Sequence, residues 1–308
     1  MSLEKTRNDI INRALSLCGA KAVGEEAADE DVSLAAGALN DMIAHWETTG
    51  VHLWRRSDFT LFTQPGQAKY QFGGSTTDHV TASFTSTTLA AALTTGDRTI
   101  TLTSSTGLAV GDAIGIIIST GIYWTTVSTI TPSILLADTA GVSEDVDSGT
   151  TVYYYTTDLG KALRVPDARR VYSSSEIMMT PLGRIDYLNL PNKSTSGTPV
   201  QFYYDPKVND GYLYLWPVPT LAAEYVKGTA LLPINLFDDA NDDADFPDEW
   251  NRALKYNLAV DIAPDIMGGI ELSRRVEARA MQYLSEVTDW DQGSGSVYFG
   301  FSKMRQGV

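Results

Sequence analysis

The sequence predicts an α+β protein: a helical bundle built from both chain ends, and a β-rich middle region carrying a second, inserted small β-barrel or sandwich. Three observations predict it. Apolar residues recur at spacings of three and four near both ends, within 7–49 and again within 247–290, which is the period of a buried helix face. Between these stretches the apolar period falls to two and is punctuated by Gly, Pro, Asn and Asp, the pattern of short strands and turns. Inside that middle, residues 80–157 change composition. They are rich in Thr, Ser and Gly, and Arg98 is the only Lys or Arg between Lys69 and Lys161.

Four parts follow from this: 1–58 with 245–290 as a discontinuous helical domain, 59–79 with 158–244 as a β domain, 80–157 as an inserted small β domain, and 291–308 as an extended C-terminal docking tail. The first helix covers 7–18, with Ile10, Ile11, Ala14, Leu15, Leu17 and Cys18 clustering by helical spacing and Gly19 closing it. A second runs from about Asp31 to Thr49, with Leu34, Ala35, Ala38, Leu39, Met42, Ile43 and Trp46 on one side and Gly50 beyond its end. Strands are expected at 59–63 and 69–72, around the turn Gln64-Pro65-Gly66-Gln67. In the inserted part they are expected at 99–103, 113–119, 122–130, 133–137 and 151–156. A hairpin joins 200–204 to 212–216, and 225–232 forms a further strand. The last helical pair starts at Phe246-Pro247-Asp248-Glu249, where proline and two acids suit a first turn. Trp250, Ala253, Leu254, Asn257, Leu258 and Ile262 line one face, and Pro264 with Gly268-Gly269 ends that helix. Leu272, Val276, Ala280, Tyr283, Leu284 and Val287 line the second helix. A helix hairpin with one apolar face needs a cover, and the N-terminal pair is the expected one.

The composition narrows function. With 308 residues, 43% hydrophobic and 20% charged, the chain suits a globular protein of about two domains. A single cysteine, Cys18, excludes an intrachain disulfide and reads as a small core residue. Glu4, Lys5, Arg7 and Asp9 interrupt any apolar start, so no signal peptide is expected, and no apolar run approaches the ~20 residues of a membrane span. A net charge of −15 argues against tight general binding to nucleic-acid phosphates. It is compatible with a wall past which duplex DNA slides without sticking.

No catalytic or metal constellation emerges. The acidic run Asp238, Asp239, Asp242, Asp243, Asp245, Asp248, Glu249 lacks the central Gly and the alternation of a calcium loop, and reads as a solvated loop before a helix. His45, His52 and His79 have no metal-binding spacing. Gly111-Asp-Ala-Ile-Gly115 lies among strands and opens no helix, so it is no phosphate cradle. The Tyr-rich strands, Tyr153-Tyr154-Tyr155, Tyr203-Tyr204 and Tyr212-x-Tyr214-x-Trp216, offer either core or a contact surface for protein or carbohydrate. Neither a cofactor nor a metal is expected.

Four stretches resemble the head-to-tail adaptor proteins of short-tailed, podovirus-type bacteriophages, also described as packaged-DNA stabilisation or tail accessory proteins. They are Ile11-Asn-Arg-Ala-Leu-Ser-Leu-Cys-Gly19 with Ala38-Leu-Asn-Asp-Met-Ile-Ala-His-Trp46; Leu188-Asn-Leu-Pro-Asn-Lys193 with Gly197-Thr-Pro-Val-Gln-Phe-Tyr-Tyr-Asp-Pro206; Leu213-Tyr-Leu-Trp-Pro-Val-Pro219; and Phe246-Pro-Asp-Glu-Trp-Asn-Arg-Ala-Leu254 with Tyr256-Asn-Leu-Ala-Val260. They span most of the chain outside 80–157. The resemblance implies a structural virion protein of the neck, assembled in the host cytoplasm. It would form a ring, typically of twelve copies, beneath the portal protein. Such a ring extends and seals the DNA channel and offers a platform for the tail nozzle and tail fibres. It also implies that the tail, through Val297, Tyr298, Phe299 and Phe301, meets the portal. The charged face of the last helix, with Glu271, Arg274, Arg275, Glu277 and Arg279, would then meet a neighbouring subunit or the portal. The rival reading from the aromatic strands is a glycan- or receptor-binding β-rich phage or surface protein.

Overall fold

A computed structural model describes residues 6–22, 24–48, 55–74, 78–131, 133–173, 175–222, 224–243, 246–267 and 272–291. In chain order the helices are α1 (Arg7–Cys18), α2 (Asp29–Thr48), α3 (Arg184–Leu188), α4 (Asn251–Ile266) and α5 (Arg274–Asp291). The strands begin with β1 (Arg56–Phe62), β2 (Lys69–Phe72), β3 (Val80–Thr81), β4 (Thr85–Thr88) and β5 (Thr99–Ile100). They continue with β6 (Ala113–Ile118), β7 (Gly121–Thr129), β8 (Ile134–Leu136), β9 (Thr151–Tyr155) and β10 (Arg164–Tyr172). The last five are β11 (Ser175–Met178), β12 (Thr180–Pro181), β13 (Gln201–Pro206), β14 (Gly211–Trp216) and β15 (Tyr225–Leu231). The chain divides into two compact units, Met1–Arg55 with Ile234–Val308, and Arg56–Pro233. The fold is therefore mixed α and β, with a β-rich middle.

In the first unit, residues from α1, α2 and α4 share one buried core, with Val276, Tyr283, Leu284 and Val287 of α5 packed against it. Trp250 is fully buried at its centre, its ring 5.7 Å from those of both Trp46 and Phe246. Edge and tilted arrangements of this kind add to simple area burial. Helix α1 begins with a capping box: the Thr6 hydroxyl accepts from Asp9 N (3.2 Å) while Thr6 N donates to the Asp9 carboxylate (3.3 Å). Gly19 closes it in the left-handed region at φ 78°. Three details differ from the sequence reading. Leu34 of α2 is 40% exposed rather than in the core. A 3-10 turn, Asp248–Trp250, precedes α4, which starts at Asn251. Pro264 lies inside α4, which runs on to Ile266. So near the end a proline removes only one helical bond, to the carbonyl four residues back, and the last turn still forms through Met267 N to Ala263 O (2.9 Å).

The second unit holds three sheets. A five-stranded antiparallel sheet runs β11-β10-β15-β1-β3, and a four-stranded sheet runs β12-β13-β14-β2, parallel only between β12 and β13. Their inner faces meet in a core that includes Phe59 and Leu61 of β1, Val226 and Ala230 of β15, Phe72 of β2 and Leu213 and Leu215 of β14. The sequence reading did not separate β10, β11, β12 and α3. In β10 the signal is masked by Pro166, by charged residues and by a register shift between Arg164 and Asp167 that breaks strict alternation.

The third sheet, order β4-β9-β6-β7-β8-β5, surrounds its own core of Ile114, Ile116, Val127, Leu136, Val152 and others. Its outermost strands meet again beyond their ends. A bridge joins Leu89 to Leu102, Ala90 N donates to Thr101 O (2.8 Å) and Thr103 N to Thr88 O (2.9 Å). The sheet thus curls back on itself. The strand expected over 99–103 is reduced to Thr99–Ile100.

Candidate interaction surface

Three surfaces hold the residues that the sequence singles out. On the first unit, α5 packs along α4. Asn257 of α4 ties the pair by donating to Ala253 O (2.9 Å) and Ala280 O (3.1 Å), and the rings of Tyr256 and Tyr283 meet edge to face at 5.1 Å. This packing turns one side of α5 outward. Arg274, Arg275 and Arg279 are exposed and Glu277 is half-buried. Arg279 approaches the Tyr256 hydroxyl at 3.5 Å. Among the described residues, Arg274, Arg275 and Glu277 take no ion-pair partner within the helix, so their charge is available to something outside. A groove of about 640 Å³ opens between the start of α4 and the later turns of α5, lined by Asp248, Glu249, Arg252, Lys255, Tyr283, Glu286 and Val287. Glu271, Val297, Tyr298, Phe299 and Phe301 lie outside the described residues, as does His52.

The second surface is the outer face of the four-stranded sheet. The alternation of β13 and β14 buries Phe202, Leu213 and Leu215 and leaves Tyr203, Tyr212, Tyr214 and Trp216 half-buried on the other side. Helix α3 lays Tyr187 onto this strip. The rings of Tyr187, Tyr203 and Tyr214 form a triangle with centroids 5.0–5.7 Å apart. The Lys69 ammonium sits 3.7 Å over the Tyr212 ring, and Trp216 donates its indole N–H to Asn192 O (2.9 Å). These rings are engaged with one another and with a lysine, whereas a sugar-stacking platform needs free ring faces.

The third surface joins the curled sheet to the rest of its unit. Phe62, Phe84, Ile122, Trp124, Tyr153, Tyr155 and Tyr225 pack as one aromatic cluster. Gln64 fastens it: its amide nitrogen donates to Ile122 O (2.8 Å) and its amide oxygen accepts from Ile122 N (2.9 Å). His79 belongs to this joint. Its ring stacks on Trp124 at 3.8 Å, and Nδ1 lies 2.7 Å from the Tyr155 hydroxyl. That hydroxyl donates its one proton to the Asp158 carboxylate (2.8 Å), so Nδ1 carries the hydrogen toward Tyr155. Burial pulls the His79 pKa down to about 4, partly opposed by the nearby Asp78 charge. Burial, with Asp158, holds the Tyr155 hydroxyl well above the usual phenol range. Sequence spacing does not reveal this trio, because His79 and Tyr155 are 76 positions apart and only strand register brings them together.

The remaining candidates have structural partners. Cys18 is buried and donates to Ala259 O at 3.1 Å, and burial pushes its thiol up to about 11. In the acidic loop, the Asp242 carboxylate accepts from the backbone N–H groups of Asp238 (2.8 Å) and Asp239 (2.6 Å). The loop's own carbonyls, Asp242 O and Ala240 O, accept from Arg7 N (2.8 Å) and Asn8 N (3.2 Å), two of the otherwise unpaired donors at the start of α1. Among the described residues no group of three His, Cys, Asp or Glu could hold a metal ion, and no helix is long and apolar enough to cross a membrane.

No protein-family profile matches the chain, and no curated protein matches it. Among solved structures it is similar to VP17, a capsid protein of bacteriophage P23-77, at 14% identity and a TM-score of 0.11, over 61% of this chain and 76% of that one. It is likewise similar to the VP16–VP17 complex of the two major capsid proteins of that phage, at 14% identity and a TM-score of 0.11, over 57% of this chain and 82% of that one. Likeness of this size does not establish a shared fold.

Proposed function

We propose that this chain is a structural, non-enzymatic virion protein: a head-to-tail adaptor of a short-tailed phage that forms a closed ring beneath the portal. In this reading the ring extends and seals the DNA channel and carries the tail nozzle and fibres. One observation supports it above the rest. In the first and last of the stretches that carry the sequence resemblance, Ile11, Leu15, Trp46, Trp250, Leu254 and Leu258 belong to one shared core of helices from both chain ends. That part of the resemblance rests on the frame of the first unit; the other stretches lie in the second unit. Helices from both chain ends sharing one core are what this reading needs.

A closed ring requires two different complementary faces on each subunit. The exposed arginines of α5 are assigned to one such face, toward a neighbouring copy or the portal. The tail beyond α5, through Val297, Tyr298, Phe299 and Phe301, is assigned to the portal. An acidic chain repels passing DNA rather than trapping it. The glycan-binding alternative gains no support from the strip of Tyr187, Tyr203 and Tyr214, whose rings contact one another. Light scattering of the pure protein, alone and with the portal protein of its own phage, tests the reading. The expected outcome is a particle of many copies on the portal; a chain that stays monomeric in both samples sinks it.

A further inference from the structure

Half of the large apolar side chains that remain exposed among the described residues fall in one stretch of chain. They are Tyr172, Ile177, Met178, Ile185, Leu188 and Val200, with Met178 69% and Ile185 72% exposed. The fold holds this stretch together: Thr180 N donates to Val200 O (2.9 Å), so β12 carries Val200 beside the end of β11, and α3 follows directly. Strand β11 is also an open edge. It is the last strand of the five-stranded sheet, and all four of its residues are exposed. Its register with β10, and Met179 N bonded to Ala168 O (2.9 Å), set the phase of the ladder. Glu176 and Met178 therefore turn their backbone N–H and C=O groups away from β10. An exposed edge strand flanked by apolar side chains is what proteins normally cover or charge. Here the one charge on the strand, Glu176, is drawn toward Lys227 (3.6 Å) and Arg169 (3.9 Å).

Charge indicates what covers it. Residues 161–207, which contain this edge, hold seven Lys/Arg against four Asp/Glu, whereas the rest of the chain holds 16 against 34. Two copies meeting edge to edge would bring like charges together. The same edge against another face of a second copy brings opposite charges together. Within the Arg56–Pro233 unit, which carries this edge, the most one-sided stretch is the curled-sheet module: 80–157 holds six acids, and Arg98 is its only base. Arg98 is turned inward, its guanidinium donating to Asp138 O (2.8 Å) and Leu136 O (3.0 Å).

We propose that the β11 edge with α3 is one half of a head-to-tail contact between copies of this chain, and that the acidic 80–157 module of the next copy is the other half. The proposal rests on the ring reading, because a heterologous contact of this kind closes into a ring when its rotation allows. It assigns the ring's second face to the β unit, apart from the arginines of α5.

The test places a photo-crosslinking residue at the edge, Met178→p-benzoylphenylalanine, in the full chain. After irradiation, adducts are mapped by mass spectrometry and particle mass is read separately by light scattering. Adducts joining position 178 of one copy to 80–157 of another are the expected result. Adducts to 161–207 of the second copy would make the contact isologous and overturn the proposal, as would adducts to any other region. A large particle without adducts from 178 overturns this contact and leaves the ring reading standing; a chain that stays monomeric both alone and with the portal protein overturns both. In a second arm, Met178→Glu with Ile185→Glu, two exposed positions that leave the core intact and now set acids against the acidic module, is expected to weaken self-association by about tenfold or more. An unchanged particle mass with an unchanged circular dichroism spectrum overturns the proposal.

Discussion

Burial sets the chemistry of His79. Its imidazole stacks on Trp124 and faces Tyr155, with the Asp78 and Asp158 carboxylates close by, and its pKa falls to about 4. The unfolded chain therefore binds the extra proton first as pH falls. Stability from this group is complete above about pH 6.5, declines toward pH 4, and changes no further below that. The ceiling on the loss is on the order of a few kcal/mol, at ~1.4 kcal/mol per tenfold change in proton affinity. Comparing urea midpoints of the wild type and His79→Phe between pH 7 and pH 4 checks it; identical pH slopes would remove His79 from the account. Gly228 gives a second prediction at this scale. A Cβ built there would stand 2.5 Å from Asp167 O and 2.7 Å from the Phe59 ring. Backbone cannot withdraw as a side chain can, so Gly228→Ala is expected to destabilise the protein by about 1–3 kcal/mol in denaturant unfolding. Neither residue announces itself in the sequence. His79 sits next to a turn, and Gly228 sits in a strand where glycine alone says only that something approaches closely.

At the level of elements, the joint between the curled sheet and the sandwich is the least expected part of the fold. A β module inserted between residues 79 and 158 could sit loosely on two linkers. Instead Gln64, in the turn between β1 and β2, pairs with both backbone groups of Ile122, and a cluster of apolar and aromatic side chains packs at the joint. Gln64→Ala removes two hydrogen bonds and leaves two backbone groups unpaired, which is expected to cost about 1–3 kcal/mol. Hydrogen exchange at the Ile122 amide should speed up while amides in the sandwich core stay protected. Equal protection throughout would show that the aromatic cluster alone holds the joint. The strong helices and most strands were legible in the sequence because each has a clean period and a marked end. Strand β10 and helix α3 were not, since a bulge, a proline and charged residues hide one and the other has only five residues.

The whole molecule is where the functional reading is tested. Reversing charge at Arg274, Arg275 and Arg279 to Glu leaves the core untouched, since all three are exposed. The change in fold stability should stay within about 0.5 kcal/mol per site, as for ordinary surface positions. If that face meets a neighbour or the portal, assembly on the portal should fail in light scattering while the melting curve stays in place; normal assembly would free α5 from the interface. Deleting 291–308 is expected to weaken portal docking with an unchanged circular dichroism spectrum. Docking at full strength would refute the assignment of Val297, Tyr298, Phe299 and Phe301. The candidate site was legible in the sequence only as residue types, charged on one helix and aromatic on alternating strands. Which charges stay unpaired and which rings are already engaged depended on packing.

By itself the sequence determined the mixed α and β class, the helical ends, the compositional break at 80–157 and the absence of a recognisable catalytic spacing. These are local properties, written in periods of 3.6 and 2 and in turn residues. Tertiary structure decided the rest. It paired Tyr187 with Tyr203 and Tyr214, and it folded Arg98 inward and left the β11 edge open. It also drew His79, Tyr155 and Asp158 into one hydrogen-bonded chain. The physical reason is that strand register and sheet order act between residues far apart in the chain, and no local period records them.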